Sequence, residues 1–191
     1  MTEYSKDNSA LVAVIGLDQP GIVAAVSTAL TRLDCNIEEM TQSTLHDQFS
    51  GIYLVNKPAG LSNAEMEQKI TEALSHKRFH LSIVIRDYEE LPRELVPESD
   101  PFVISIWGRD GNNIVSTFSK MMSEQKINIH DLRAKPLGNG ESVQIFEVAV
   151  PKDVDFRAFH RVMSERAKAM GLTLTMQHRR IFDAMHRIDI Q

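Results

Sequence analysis

The chain repeats itself. Gly16-Leu-Asp-Gln-Pro-Gly-Ile-Val23 lies over Gly108-Arg-Asp-Gly-Asn-Asn-Ile-Val115 at a shift of 92 residues. The register continues through Ser27 over Ser119 to Asn36-Ile37 over Asn128-Ile129, with seven identities and no gap. Apolar character also agrees, with Val26 over Phe118, Leu30 over Met122, Cys35 over Ile127 and Met40 over Leu132. Such a repeat in 191 residues predicts two units of the same kind, each large enough to bury its own core. Between the copies, residues 87–101 hold three prolines, six acids and one base, the composition of a solvated, fairly stiff connector. The expected domains are therefore 9–88 and 101–188, joined by an acidic, proline-containing linker over 89–100.

Each copy shows the same order of periodicities. Leu11-Val-Ala-Val-Ile15 is an apolar run of strand length bounded by Gly16, and Ile22, Val26, Leu30 and Leu33 then recur at helical spacing. Residues 37–45 and 49–56 are β-rich and joined by His46-Asp-Gln48, which suits a hairpin. Ser62-Asn-Ala-Glu65 has the form of a capping box ahead of a stripe of Met66, Ile70 and Leu74. Phe79, Leu81, Ile83 and Ile85 alternate with polar residues, the pattern of a strand buried on one face.

The second copy repeats this order. Strands are expected over 102–107, 129–135, 143–150 and around Leu172, Leu174 and Met176, with a hairpin turn at Gly138-Asn-Gly140. Its helices carry Ile114, Phe118 and Met122, then Phe156, Phe159 and Met163. The fold class is α+β: two ferredoxin-like βαββαβ domains in tandem, each a four-stranded antiparallel sheet with two helices on one face. The other sheet face, or an edge, is left for a partner, and the two units are expected to cover each other.

Composition narrows the function classes. A single Cys35 forms no intrachain disulfide, and no thiol or imidazole cluster has zinc-ligand spacing, so no metal or other cofactor is expected. The polar N-terminus lacks a signal-type apolar region, and the run from Leu11 to Ile15 is too short to span a bilayer, which predicts a soluble cytoplasmic protein with no membrane contact. A net charge of −5 argues against direct nucleic-acid binding. The stretch from Lys152 to Arg187, with eight basic and four acidic residues, is read as a charged helix face rather than a DNA surface, because no helix-turn-helix accompanies it.

The segment carrying most chemistry is Gly16-Leu-Asp-Gln-Pro-Gly21, a tight passage from a buried strand into a helix. Asp18 or Gln19 is suited to cap the helix, Pro20 to enter its first turn, and Gly21 to let another group approach the backbone. The free N–H groups of such a turn favour a small carboxylate, Asp18 balances an ammonium, and Asn36 at the start of the next strand offers a donor and an acceptor. Together they suit a zwitterionic amino acid. Capped turns of this composition also serve structure alone.

Other candidates carry less. His76 and His80 straddle a helix end and a strand, while His178 and His186 lie in a basic tail without a ligand set. Glu38, Glu39 and Asp47 have no flanking nucleophile or phosphate loop, and Ser27 and Ser119 lack the elbow and neighbouring His of a nucleophile. Cys35 occupies the position of Ile127, which favours a buried apolar role. No enzyme signature survives.

The run Asp18-Gln-Pro-Gly-Ile-Val-Ala-Ala-Val-Ser27, followed by Leu30 and Asn36-Ile37, resembles the opening of ACT domains, small βαββαβ amino-acid-sensing modules. The tail Arg180-Ile-Phe-Asp-Ala-Met-His-Arg-Ile188 resembles the end of free-standing ACT proteins. Two such modules in one chain are similar to bacterial accessory regulators of the glycine cleavage system. The resemblance implies a non-enzymatic regulator that binds a small amino acid such as glycine or serine, where the first turn of one unit faces a neighbouring unit. It implies a homodimer that acts on a transcription factor or, alternatively, controls a metabolic enzyme as a regulatory subunit in trans. Carried over, it singles out Asp18, Gln19, Pro20, Gly21, Ile22 and Asn36 in copy one. In copy two the positions are Asp110, Gly111, Asn112, Asn113, Ile114 and Asn128, where Asn112-Asn113 replaces the Pro-Gly pair and puts ligand binding in question.

Overall fold

The computed structural model describes residues 8–75, 79–90, 92 and 97–186. His76, the linker residues 91 and 93–96, and the tail beyond His186 lie outside them. The chain divides into two compact units, Met1–Glu90 and Leu91–Gln191.

Unit 1 runs β1 (Ser9–Leu17), α1 (Ile22–Arg32), β2 (Asn36–Leu45), β3 (Gln48–Asn56), α2 (Asn63–Ser75) and β4 (Leu81–Asp87). Its four strands are ordered β2-β3-β1-β4, and every pairing is antiparallel. Alternation along β1 sends Ala10, Val12 and Val14 to the core face, where they meet Ile22, Val26 and Leu30 of α1 and Met66, Ile70 and Leu74 of α2. Both helices therefore cover one face. Ile15, Ile52 and Val84 stand on the other and remain exposed.

Unit 2 repeats the plan as β5 (Ser99–Arg109), α3 (Ile114–Glu124), β6 (Asn128–Gly138), β7 (Glu141–Pro151), α4 (Phe156–Ala169) and β8 (Leu172–His178), ordered β6-β7-β5-β8. Its core joins Ile104, Ile106, Phe146 and Val148 to Ile114, Phe118 and Met122 of α3 and Phe159 and Met163 of α4. A short helix, α5 (Arg179–His186), follows β8, where the sequence patterning marked no helix. Arg179 at its start pairs with Glu147 of β7. Among the described residues no helix is long and apolar enough to cross a membrane.

The repeat is visible in space. The first helices, 22–32 and 114–124, sit at the shift of 92, and each is followed, just past its C-cap, by a residue with positive φ, Asp34 or Lys126. The next N–H, of Cys35 or Ile127, reaches back to the carbonyl of Leu30 or Met122 at 3.0 Å, closing the helix as a Schellman motif does. Beyond the hairpin the shift becomes 93, because β6 accommodates one extra residue, Leu137, as a bulge between Pro136 and Gly138.

The hairpins turn where the sequence placed them. In unit 1 the turn is His46-Asp47, with Gln48 already paired to Leu45. In unit 2 it is Asn139-Gly140, both at positive φ, as a primed turn requires. The capping box forms by half: Glu65 N–H donates to Ser62 Oγ at 3.2 Å, but the Glu65 carboxylate pairs forward with Lys69 at 2.6 Å instead of returning to the cap.

Candidate functional site

The turn between β1 and α1 differs from its sequence reading in three respects. Gly21, not Asp18 or Gln19, is the N-cap residue, and no side chain caps the helix. Pro20 precedes the helix instead of entering it. Gly21 is required by its left-handed backbone, φ 96°, and not by close approach, since a Cβ there would meet only Phe79 Cζ at 3.8 Å. The crowded glycine is Gly16, where a Cβ would fall 2.3 Å from the His80 carbonyl oxygen.

The consequence is an uncapped helix start. Its first backbone bond runs from Ala25 N–H to the Gly21 carbonyl at 2.9 Å, so the N–H groups of Ile22, Val23 and Ala24 have no partner within the helix. The loop itself is anchored, because Asp18 N–H donates to the Asp47 carbonyl of the β2–β3 hairpin at 2.8 Å. Hairpin and helix start therefore stand side by side. Between them lies an open concavity of about 520 Å³, lined by Asp18, Gln19, Gly21, residues 22–24, Gln42, Thr44 and Phe49. Gln42 and Thr44 are exposed on the edge strand, while Phe49 is buried beneath them.

Four of the six expected residues of copy one, Asp18, Gln19, Gly21 and Ile22, line this concavity, and Pro20 lies within the same loop. Asn36 does not join them. It opens β2 opposite Asn56, whereas the turn adjoins the other end of the sheet, where Leu17 pairs with Gln48. Gln42, Thr44 and Phe49 are additions that sequence patterning did not mark.

Copy two is built differently. Asp110 N–H keeps the equivalent anchor to the hairpin carbonyl of Gly140 at 2.7 Å. The N-cap residue is Asn113 at φ −111°, with no side-chain cap, and Ile114 N–H faces the Gly111 carbonyl of its own loop at 3.4 Å. The concavity there is about 240 Å³, lined by Arg109, Asp110, Gly111, Asn113, Ile114, Met170 and Leu172. Asn112 is exposed in the same loop. Asn128, at the far end of β6, lies 3.5 Å from the ring Nδ1 of His130 through its side-chain nitrogen.

Cys35 is buried with its Sγ 3.7 Å from Met66 Sδ. Burial pushes its thiol up, partly offset by the Lys57 charge and reinforced by Asp34, so thiolate character is suppressed. Ser27 and Ser119 lie within α1 and α3. Glu38, Glu39 and Asp47 are exposed. His80 precedes β4, and His178 ends β8 with Nδ1 accepting from Arg180 N–H at 3.2 Å. Among the described residues no group of three or more His, Cys, Asp or Glu side chains is placed to hold a metal ion.

The ACT domain model matches residues 8–86. A UPF0237 protein of Methanopyrus kandleri is 38% identical over 88 residues, which is 45% of this chain and 93% of that protein. The glycine cleavage system transcriptional repressor of Escherichia coli is 25% identical over 143 residues, 74% of this chain and 73% of the repressor. An unknown protein from Galdieria sulphuraria shares the fold, with a TM-score of 0.72 at 21% identity, over 90% of this chain and 98% of that one. With the ACT domain model matching residues 8–86 of unit 1, and the same strand order repeated in unit 2, the chain belongs to the ACT-domain family.

Proposed function

We propose that the protein is a non-enzymatic sensor that binds a small amino acid at the turn between β1 and α1 and passes the signal on through protein contact. The observation that carries this reading is the concavity lined both by residues 22–24, whose N–H groups have no partner within the helix, and by Asp18. The N–H groups, reinforced by the helix dipole, suit a ligand carboxylate, and Asp18 suits its ammonium. Similarity to the Escherichia coli repressor supports a place in transcriptional control of glycine-type metabolism, by docking on a transcription factor rather than on DNA. The net charge of −5 supports the same choice.

The working form is a homodimer. The concavity is open, and Asn36 lies at the far end of its own sheet, so a second copy is a fitting source of the groups that close it. Sedimentation should give a dimer mass, and a monomer mass at all concentrations would remove this part.

The sensor itself is tested by a thermal-shift panel of the twenty amino acids, since a ligand that binds only the native state raises the melting temperature with the logarithm of its concentration over Kd. One or a few small amino acids should raise it, and Asp18→Asn should weaken the response by about tenfold or more, the order of one charge-assisted hydrogen bond. A panel without any shift at millimolar concentration would sink the sensor reading.

A further inference from the structure

The two copies treat the same positions in opposite ways. In unit 1, Gln42 pairs with Gly51 and Thr44 with Phe49 across β2 and β3. The polar members stand exposed on the edge strand and line the concavity, and the apolar member, Phe49, is buried. In unit 2 the equivalent pairs are Ala134 with Gln144 and Pro136 with Ser142. Here the polar members have moved to the inner strand β7. Gln144 and Ser142 are only 3% and 4% exposed, and Gln144 Nε2 donates to Ser142 Oγ at 2.7 Å.

In unit 2 the side-chain amide is instead buried on β7, its Nε2 bonded to Ser142 and its Oε1 without a partner among the described residues, and Ala134 and Pro136 of the edge strand offer a ligand no side-chain hydrogen bond. The turns diverge in parallel. Gly21 is left-handed, while Asn113 is not, and Ile114 N–H is turned toward its own loop carbonyl. The concavity at the turn of unit 2 opens on the β8 side, against Met170 and Leu172, and is lined by no residue of β6, the counterpart of β2.

We infer that each chain binds one amino acid, in unit 1, that Gln42 and Thr44 are the specificity-determining contacts on its edge-strand side, and that unit 2 keeps the fold without taking a ligand. This rests on the reading of the unit 1 concavity as an amino-acid site. Both side chains donate and accept, so they can satisfy polar groups of the ligand that the helix start and Asp18 leave unpaired.

The experiment is a titration of the full chain with each of the twenty amino acids, followed by calorimetry for stoichiometry and by amide NMR for location. One equivalent per chain is expected, moving the amides of Ile22, Val23 and Ala24 and the side-chain amide of Gln42, with Ile114, Val115 and Ser116 unmoved. The exposed double variant Gln42→Ala, Thr44→Val should keep its fold and lose affinity by about tenfold or more. Two equivalents, or one that moves Ile114–Ser116 instead, would overturn the inference while leaving a sensor. Undiminished affinity in the folded double variant would overturn the role of Gln42 and Thr44. Failure of every amino acid to move any amide would instead overturn the functional reading beneath it.

Discussion

Gly16 is fixed by a backbone that passes in front of it. A Cβ there would stand 2.3 Å from the His80 carbonyl oxygen and 2.7 Å from Leu81 Cδ2, at the point where β4 enters the sheet. The backbone oxygen has little room to yield, so Gly16→Ala should destabilise unit 1 by about 2–3 kcal/mol in denaturant unfolding. Gly60→Ala is the control, because nothing lies within 4 Å of its added methyl. An equal cost at both sites would refute the steric account. Tyr53 carries a second prediction. It is fully buried, and its hydroxyl has no hydrogen-bond partner among the described residues. Unit 2 places Phe146 at the matching register position, so Tyr53→Phe is expected to stabilise by about 1 kcal/mol. Burial also pushes the Tyr53 phenol up. The unfolded phenol therefore ionises first, so the stability linked to Tyr53 is complete below about pH 10 and is lost as pH climbs through the raised folded value. The Phe variant should lose that part of the alkaline slope and keep the part due to Cys35, whose buried thiol is pushed up in the same sense. A variant with an unchanged alkaline slope would show that Tyr53 does not titrate with unfolding.

Helix starts divide into two kinds, and the difference separates scaffold from site. α4 begins on Asp155, whose carboxylate accepts from Arg157 N–H and Ala158 N–H at 3.0 and 3.1 Å. Asp155→Ala should cost unit 2 about 1 kcal/mol, read as a lower denaturation midpoint with an unchanged slope. A neutral result would mean that water replaces the cap. α1 has no such side chain, and Ile22, buried to 2% exposure, holds its first turn by packing. Asp18 looks like a cap in the sequence because its type is right. The loop instead ties the Asp18 N–H to the hairpin, and the left-handed Gly21 fills the cap position. The regular elements were legible where a buried face imposes a period: Ala10, Val12 and Val14 along β1, or Ile114, Phe118 and Met122 along α3. Gln42 and Thr44 were not, since β2 is exposed along nearly its entire length and a solvated edge leaves no alternation to read. Their place in the site comes from sheet register, which brings the end of β2 beside the helix start. α5 escaped for another reason: eight residues are too few to establish a helical stripe.

At the scale of the chain, duplication is the fact that sequence carried best, because each copy must bury its own apolar faces and so keeps its own periodicity. The buried residues of the first core run from Ala10 to Leu74, with partly buried neighbours as far as Ile85. Those of the second run from Ile104 to Leu172, flanked by residues from Phe102 to Met176, and no residue belongs to both. Divergence between the copies was legible only in part. The missing Pro-Gly pair marked a changed turn, but the exchange of Gln42/Gly51 for Ala134/Gln144 depends on a strand register that a bulge at Leu137 shifts by one. Separate cores make a prediction about cooperativity. Ile70 in α2 and Met163 in α4 are both completely buried, one in each core, and truncation of either to Ala should cost its unit about 2–5 kcal/mol through lost burial and the cavity left behind. Amide hydrogen exchange resolves where that loss falls. Ile70→Ala should reduce protection in β1, β3 and β4 while β5, β7 and β8 keep theirs, and Met163→Ala should do the reverse. Loss of protection across all six strands from either substitution would mean that the two cores unfold as one body, so that a ligand held by unit 1 would stabilise unit 2 to the same degree.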